Sequence, residues 1–114
     1  MTIFDKTISI ILKKLGELLK ESREARGLLL REVAAAISAD TAMISKFEKG
    51  ERKPSREQIT ELSKFLGKDE RELLVSFFSD KVASELINEE IADEVLEVAK
   101  RKIKQLQNKK TDNK

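Results

Sequence analysis

The side chains with the clearest chemical potential lie close together between Thr41 and Arg56. This segment offers hydroxyl groups at Thr41 and Ser45, followed by basic side chains at Lys46, Lys49, Arg52, Lys53 and Arg56. Glu51 is the only acid between Lys49 and Arg56. Hydrogen-bond donors and positive charges, with no histidine or cysteine among them, favour binding of an anionic ligand over catalysis.

The amino-acid composition argues against an enzyme. The 114 residues include neither cysteine nor histidine, which excludes the usual zinc sites, cysteine nucleophiles and histidine-dependent triads. A group of acids near residue 90 is more simply the charged first turn of a helix than a set of metal ligands, namely Glu89, Glu90, Asp93 and Glu94. We therefore predict no catalytic residue, no metal and no cofactor.

Length and charge predict one small helical domain with an appendage. A chain of this size buries one modest core, and four glycines and one proline leave few breaks between helices. Because 23 bases and 21 acids give a net charge of only +2, affinity for nucleic acid depends on the distribution of charge.

No apolar run approaches the roughly 18 to 20 residues of a membrane span. No signal peptide is evident either, so we expect a cytoplasmic protein without a membrane partner.

The first predicted helix covers the N-terminal part of the chain. Apolar residues three or four apart predict one helix from Thr2 to Arg26, ended by Gly27. A strand from Thr7 to Leu12 is the competing prediction, because isoleucine favours that conformation. Residues 1–14 would extend the first helix or form a contact between subunits.

The stretch from Leu30 to Gly50 predicts two short helices joined by a tight turn. Asp40 is a good N-cap for the second helix, and Gly50 ends it. Ala34 is small enough to let the two helices cross closely. This arrangement allows one helix to lie in the major groove of DNA while the other braces it.

Two further helices complete the predicted domain, which spans residues 15–78. Ser55 with Gln58 predicts a capping box, and Gly67 stops that helix. Asp69 with Glu72 repeats the box and opens a fifth helix.

Beyond Ser79 the sequence predicts a strongly charged helix with a thin apolar stripe. Residues 85–97 carry six acids and no base, whereas residues 100–110 carry six bases and no acid. Two such helices running antiparallel pair acid with base across a two-fold axis, which favours a homodimer. We expect residues 79–110 to form a helical dimerisation region through Leu86, Ile91, Val95, Ala99 and Ile103. The alternative is a solvated tail helix packed on its own domain. Residues 111–114 are expected to fray.

Residues 15–74 resemble the lambda-repressor-like helix-turn-helix domain of the Cro- and XRE-type repressor family. The resemblance rests on Gly27-Leu28, Glu32-Val33-Ala34, the run from Ile44 to Gly50, and Arg52-Lys53-Pro54-Ser55 followed by Leu62 and Leu66-Gly67. It covers about half of the chain without insertion. The resemblance implies an all-α, five-helix domain in which the helix from Thr41 to Lys49 is the recognition helix.

The resemblance also implies which residues contact DNA. The residues expected to contact bases are Thr41, Ala42, Ser45 and Lys46. Their chemistry is consistent with this role, because methyl groups can contact the thymine methyl and Lys46 can donate to guanine acceptors. Phosphate contacts fall to Lys49, Arg52, Lys53 and Arg56.

Three positions depart from the family pattern. A hydroxyl and a glutamine usually begin the first helix of the motif, but Leu29 and Leu30 stand there. We therefore expect Arg31 to supply the phosphate contact at that point. Ser38 occupies a turn position at which relatives often hold glycine.

The leading hypothesis is a sequence-specific transcriptional regulator that binds a palindromic operator in double-stranded DNA as a homodimer. A restriction–modification controller protein is the preferred subtype, ahead of a phage repressor. The alternative hypothesis is an antitoxin that binds a toxin and autoregulates its operon. The expected protein partner is accordingly polymerase or a toxin.

Overall fold

The computed structural model describes residues 13–112, and the side-chain surroundings of residues 13–109. Its regular structure over this range is six helices: α1 (Leu15–Ala25), α2 (Leu30–Ala36), α3 (Thr41–Lys49), α4 (Arg56–Leu66), α5 (Glu70–Leu86) and α6 (Ala92–Asp112). The predicted all-α class is confirmed. Among these helices, none is long and apolar enough to cross a membrane. The chain divides into two compact units, one ending at Lys81 and the other beginning at Val82.

One hydrophobic core holds the first unit together. Helices α1 to α5 all contribute to it, because each places apolar residues three or four apart on one face. The core side chains are Leu15, Leu18, Leu19, Val33, Ala34, Ile37, Ile44, Phe47, Ile59, Leu62, Leu66, Leu73 and Phe77. The helix that carries the predicted base contacts, α3, is therefore anchored through Ile44 and Phe47.

Helix α1 begins at Leu15, so the predicted single helix from Thr2 to Arg26 is wrong. Lys14 is extended, with φ −68° and ψ 153°, and precedes the helix. Two contacts from α5 hold this start: the Leu15 N–H donates to Asp80 Oδ2 at 2.9 Å, and the Ser76 hydroxyl donates to the Lys13 carbonyl at 2.9 Å. The rest of the predicted extension and the competing strand, at residues 1–12, lie outside the described residues.

The predicted helix ends and caps are mostly confirmed. Gly27, Gly50 and Gly67 all adopt positive φ immediately after helices. At Gly27 the conformation allows two closing bonds, from the Gly27 N–H to the Glu24 carbonyl and from the Leu28 N–H to the Arg23 carbonyl, each 3.0 Å. Both bonds of the Ser55–Gln58 capping box are present, at 2.9 and 3.1 Å. Asp69 caps α5 through a bond from the Arg71 N–H.

The second unit is built differently, since residues 82–109 include no buried side chain. Helix α5 runs unbroken past Ser79, a turn follows at residues 87–91, and α6 then begins. The acidic run is therefore divided between two helices and a turn, which the charge pattern did not predict. The i,i+4 pair of Glu97 and Arg101 is present at 3.7 Å. Helix α6 includes residues 111–112 of the expected frayed tail, and residues 113–114 lie outside the described residues.

Candidate nucleic-acid interface

The outward face of α3 carries the side chains expected to contact bases. Thr41, Ala42 and Lys46 are exposed, and Ser45 between them is half-buried. Their spacing is that of one helical face, and Lys49 continues it one turn further. The opposite face holds Ile44 and Phe47, each only 2% exposed. Helix α3 thus presents hydroxyl, methyl and ammonium groups on one side and is fixed by the core on the other.

The turn before α3 sets the position of its first residue. Asp40 Oδ1 accepts a hydrogen bond from the Met43 N–H at 2.7 Å, which confirms the predicted cap. Ser38 has φ 54°, a left-handed conformation that costs an L-residue free energy. The backbone therefore keeps the left-handed conformation at this turn, although serine stands where relatives often hold glycine.

A buried ion pair joins α1 to α3. Arg23 Nε donates to Glu48 Oε2 at 2.7 Å and Arg23 Nη2 donates to Glu48 Oε1 at 3.2 Å. The two side chains are only 15% and 8% exposed. Hydrogen bonding to Glu48 raises the pKa of Arg23, and the nearby charges of Glu48 and Glu24 add to this effect against the opposing effect of burial. The pair neutralises the one acid of α3 and turns it away from the outward face.

A close backbone contact places α1 directly against the end of α3. A Cβ atom at Gly16 would lie 2.5 Å from the Glu48 carbonyl oxygen and 2.6 Å from the Phe47 carbonyl oxygen. Only glycine fits at this distance, so the two helices approach as nearly as their backbones allow.

The exposed bases of the loop follow from the way α3 ends. Gly50 is left-handed, and the N–H groups of Glu51 and Arg52 turn back to the Lys46 carbonyl at 2.9 and 3.3 Å. Pro54 is buried, which leaves Arg52 and Lys53 exposed beside it, and Arg56 is exposed at the first residue of α4. Residues 41–56 carry five bases and two acids, of which Glu48 is neutralised by Arg23.

The N-terminus of α2 has half of a capping box. Glu32 Oε1 accepts from the Leu29 N–H at 2.9 Å, but the leucine side chain has no oxygen to return the bond. Arg31 is exposed one position after the first residue of this helix, whereas Leu30 packs partly against the core. Arg31 is therefore an exposed cation in the first turn of α2.

The predicted dimer contacts do not share one element. Leu86 is the last residue of α5, and Ile91 lies in the turn before α6. Val95, Ala99 and Ile103 lie on α6 itself. Of the five, Leu86 and Ala99 are half-buried and the other three are exposed.

Sequence reasoning missed three residues that position the interface. Gly16 was a usable signal, because an isolated glycine inside a helical pattern often marks close backbone approach. Arg23 gave no signal beyond a basic charge in the last turn of α1, because its partner Glu48 lies 25 residues away. Asp80 gave no local signal, since it accepts a bond from a residue 65 positions earlier.

Comparison with known proteins identifies the domain. A family model described as helix-turn-helix matches residues 19–73, which span α1 to the start of α5. These residues form a Cro/XRE-type helix-turn-helix domain. The family resemblance is thereby confirmed.

Two known proteins are similar to this chain over part of its length. The HTH-type transcriptional regulator DdrOP3 of Deinococcus deserti is 36% identical over 75 residues, which are 64% of this chain. The chain spans only 58% of the length of that regulator. The restriction-modification controller protein C.AhdI from Aeromonas hydrophila is 29% identical, with a TM-score of 0.49 over 60% of this chain and 97% of that one.

Proposed function

We propose that this protein is a sequence-specific DNA-binding transcriptional regulator. Its recognition helix, α3, lies in the major groove, where Thr41, Ala42, Ser45 and Lys46 meet base edges. Lys49, Arg52, Lys53, Arg56 and Arg31 contact phosphates on either side. A homodimer places two recognition helices about one helical turn of DNA apart and binds a palindromic operator.

The observation that carries the proposal is the charge arrangement of α3. Its outward face holds the small polar and basic groups, while its single acid is bonded to Arg23 and only 8% exposed. Without that pairing, Glu48 would repel the same phosphates that Lys49 and Arg52 attract. The buried ion pair therefore supports DNA binding by both placing the helix and removing its negative charge.

The two groups of contacts differ in what they determine. Phosphate contacts set affinity and its dependence on salt, whereas base contacts set the choice of sequence. None of the four base-contacting candidates is an arginine or glutamine able to bond one base through two atoms. We infer that Lys46, the longest of them, supplies most of the discrimination by donating to guanine acceptors.

Fluorescence anisotropy with two DNA duplexes tests these roles. One duplex carries the DNA upstream of the protein's own gene, and the other has the same composition in scrambled order. Lys46→Ala should weaken binding to the upstream duplex by roughly 10-fold or more and leave the scrambled duplex nearly unchanged. Arg52→Ala should weaken both and lower the slope of log affinity against log salt concentration by about one.

Lys64→Ala is the matched control, because it removes the same charge at an exposed position. It lies eight residues after Arg56 on α4, about 12 Å along the helix axis. The affinity of the Lys64→Ala variant for both duplexes should equal that of the unmodified protein. Equal losses for Lys46→Ala and Lys64→Ala on both duplexes would show that α3 does not read sequence.

A further inference from the structure

Helix α6 carries an apolar seam whose alanines are half-buried and whose larger side chains are left exposed. The helix has 21 residues and is about 31 Å long. Its larger seam residues are strongly exposed: Leu96 45%, Ile103 53% and Leu106 66%. Most helical stability in proteins comes from packing of an amphipathic face, so burial of these exposed side chains against a partner surface would stabilise α6.

The spacing of this seam is that of a coiled coil. Ala92, Leu96, Ala99, Ile103 and Leu106 are separated alternately by four and three residues. Small and large side chains alternate from Ala92 to Ile103, and Leu106 adds a second large side chain after Ile103. If two copies of α6 run antiparallel about a two-fold axis between residues 97 and 98, Leu96 faces Ala99 of the second copy and Ile103 faces its Ala92. Leu96 and Ile103 then each meet an alanine, whereas Leu106 lies beyond the paired segment, because the position opposite it precedes α6. A parallel pair would place alanine on alanine and leave gaps.

The charges that flank the seam favour the same direction. Acids occupy the N-terminal part of α6, at Asp93, Glu94 and Glu97, and bases follow from Lys100 to Lys110. In the antiparallel register Asp93 lies beside Lys100 of the second copy, and the symmetric contact repeats the pairing. A parallel pair would bring like charges together along the whole helix, which is unfavourable.

We propose that α6 is the dimerisation surface and that it pairs antiparallel with α6 of a second copy of this chain, in the register that places Ala92 against Ile103. The proposal rests on the homodimer of the proposed function and names the surface that forms it. A residue of the second copy completes each contact: leucine or isoleucine enters beside alanine, and Lys100 pairs with Asp93.

Disulfide crosslinking tests the direction directly, because the chain has no cysteine of its own. In the full chain, the double variant Ala92→Cys/Ile103→Cys should form a covalent dimer under mild oxidation without DNA. Within one helix these positions are about 16 Å apart, too far for a bond inside one chain. Each single variant should remain monomeric on a non-reducing gel, because an antiparallel pair separates two copies of the same position by about 16 Å.

The matched control is Glu94→Cys/Arg101→Cys, which lies at the same level of the register but on the opposite face of α6. It should not crosslink. Dimers from the single variants would show a parallel pair, and crosslinking no greater than the control in the double variant would show that α6 does not pair with itself. Either result overturns the proposal.

Charge reversal gives a second readout that needs no cysteine. Asp93→Lys and Lys100→Asp should each weaken the dimer several-fold in sedimentation equilibrium, and the double reversal should restore it. Lack of restoration would contradict the register. The anisotropy experiment with the upstream and scrambled duplexes is carried out separately. If the cysteine variant crosslinks but the protein binds both duplexes equally, the proposed function alone is refuted. If the protein prefers the upstream duplex but the cysteine variant does not crosslink, only the α6 interface is refuted.

Discussion

At the scale of single residues, the Arg23–Glu48 pair decides how much positive charge α3 presents. The carboxylate accepts two bonds from one guanidinium, and Arg23 Nη1 also donates to the Leu28 carbonyl at 2.9 Å. One arginine therefore ties α1, the start of the α1–α2 connection and α3 together. Removing either member of a buried pair leaves the other without compensation, which costs more than the pair itself contributes.

We expect Glu48→Ala to lower the free energy of unfolding by about 3 kcal/mol, because Arg23 would stay partly buried without its partner. Urea unfolding followed by circular dichroism measures this. Glu51→Ala is the control, since Glu51 is an exposed acid of the same chemistry, and its effect should stay within about 0.5 kcal/mol. A similar stability for the two variants would contradict a structural role for the pair.

The raised pKa of Arg23 predicts how this stabilisation depends on pH. Because hydrogen bonding to Glu48 holds the folded pKa of Arg23 above its unfolded pKa, the contribution is complete below the unfolded pKa and is lost only as the pH rises through the folded pKa. The stability difference between the unmodified protein and Glu48→Ala should therefore be constant from about pH 7 to 10. Urea midpoints across that range check it, and a difference that shrinks with rising pH would be inconsistent with an arginine donor.

Ser38 is expected to be a site where a simple change stabilises the fold. Its φ of 54° costs an L-residue about 1 to 2 kcal/mol, and the added chain entropy of glycine offsets part of the gain. Ser38→Gly should raise the melting temperature by a few degrees. Ala35→Gly, at an exposed right-handed position in α2, should lower it instead. Equal changes for both variants would exclude backbone strain as the cause.

At the scale of elements, α1 acts as the support on which α3 is placed. Contact occurs through backbone at Gly16 and through charge at Arg23, and Leu18 and Leu19 belong to the same core as Ile44 and Phe47 of α3. The opposite end of α1 is tied to α4, since Arg26 Nη1 donates to the Phe65 carbonyl at 2.7 Å. A helix that carries no predicted DNA contact therefore helps to orient the recognition helix.

We expect Gly16→Ala to reduce both stability and DNA affinity. The added methyl group would lie 2.5 Å from the Glu48 carbonyl, so α1 and α3 must separate, at a cost of about 1 to 3 kcal/mol. Thermal unfolding and anisotropy measure the two effects. Glu17→Ala, an exposed neighbour in the same helix, should change neither by much. An unchanged melting temperature for Gly16→Ala would mean that the helices are not in close contact.

At the scale of the whole molecule, core and exposed apolar surface are divided between the two units. All buried apolar side chains of the described chain lie between Leu15 and Phe77, whereas residues 82–109 bury none. A second exposed apolar patch, Val75 and Phe78, lies on α5 in a groove bordered by Arg56 and Arg71. It is the competing surface for self-association.

A chain ending at Ile87 should keep its fold and lose its dimer. This end point preserves α5 and Asp80, which holds the start of α1; truncation after Ser79 would remove that contact. We expect a melting temperature close to that of the full chain at low concentration and a monomeric mass in sedimentation equilibrium. A stable dimer of the shortened chain would instead assign the interface to the Val75 and Phe78 patch.

Much of the first unit could be predicted from sequence alone because its signals are local. The glycine stops, the Asp40 cap and the Ser55–Gln58 box depend on bonds within about four residues, so their pattern is visible in the chain itself. The same holds for the recognition-helix face, which helical spacing defines once the ends of α3 are known. The family resemblance then supplied the roles of those positions.

Tertiary structure decided what local patterns could not. Periodicity extended the first helix to Thr2, whereas contacts from Ser76 and Asp80 accompany its start at Leu15. Glu48 had the same sequence signature as a solvated acid, and only the approach of Arg23 from 25 residues away made it a buried partner. Helix ends and faces are set by neighbours in the chain, but burial, charge pairing and helix placement depend on residues distant in sequence that folding brings together.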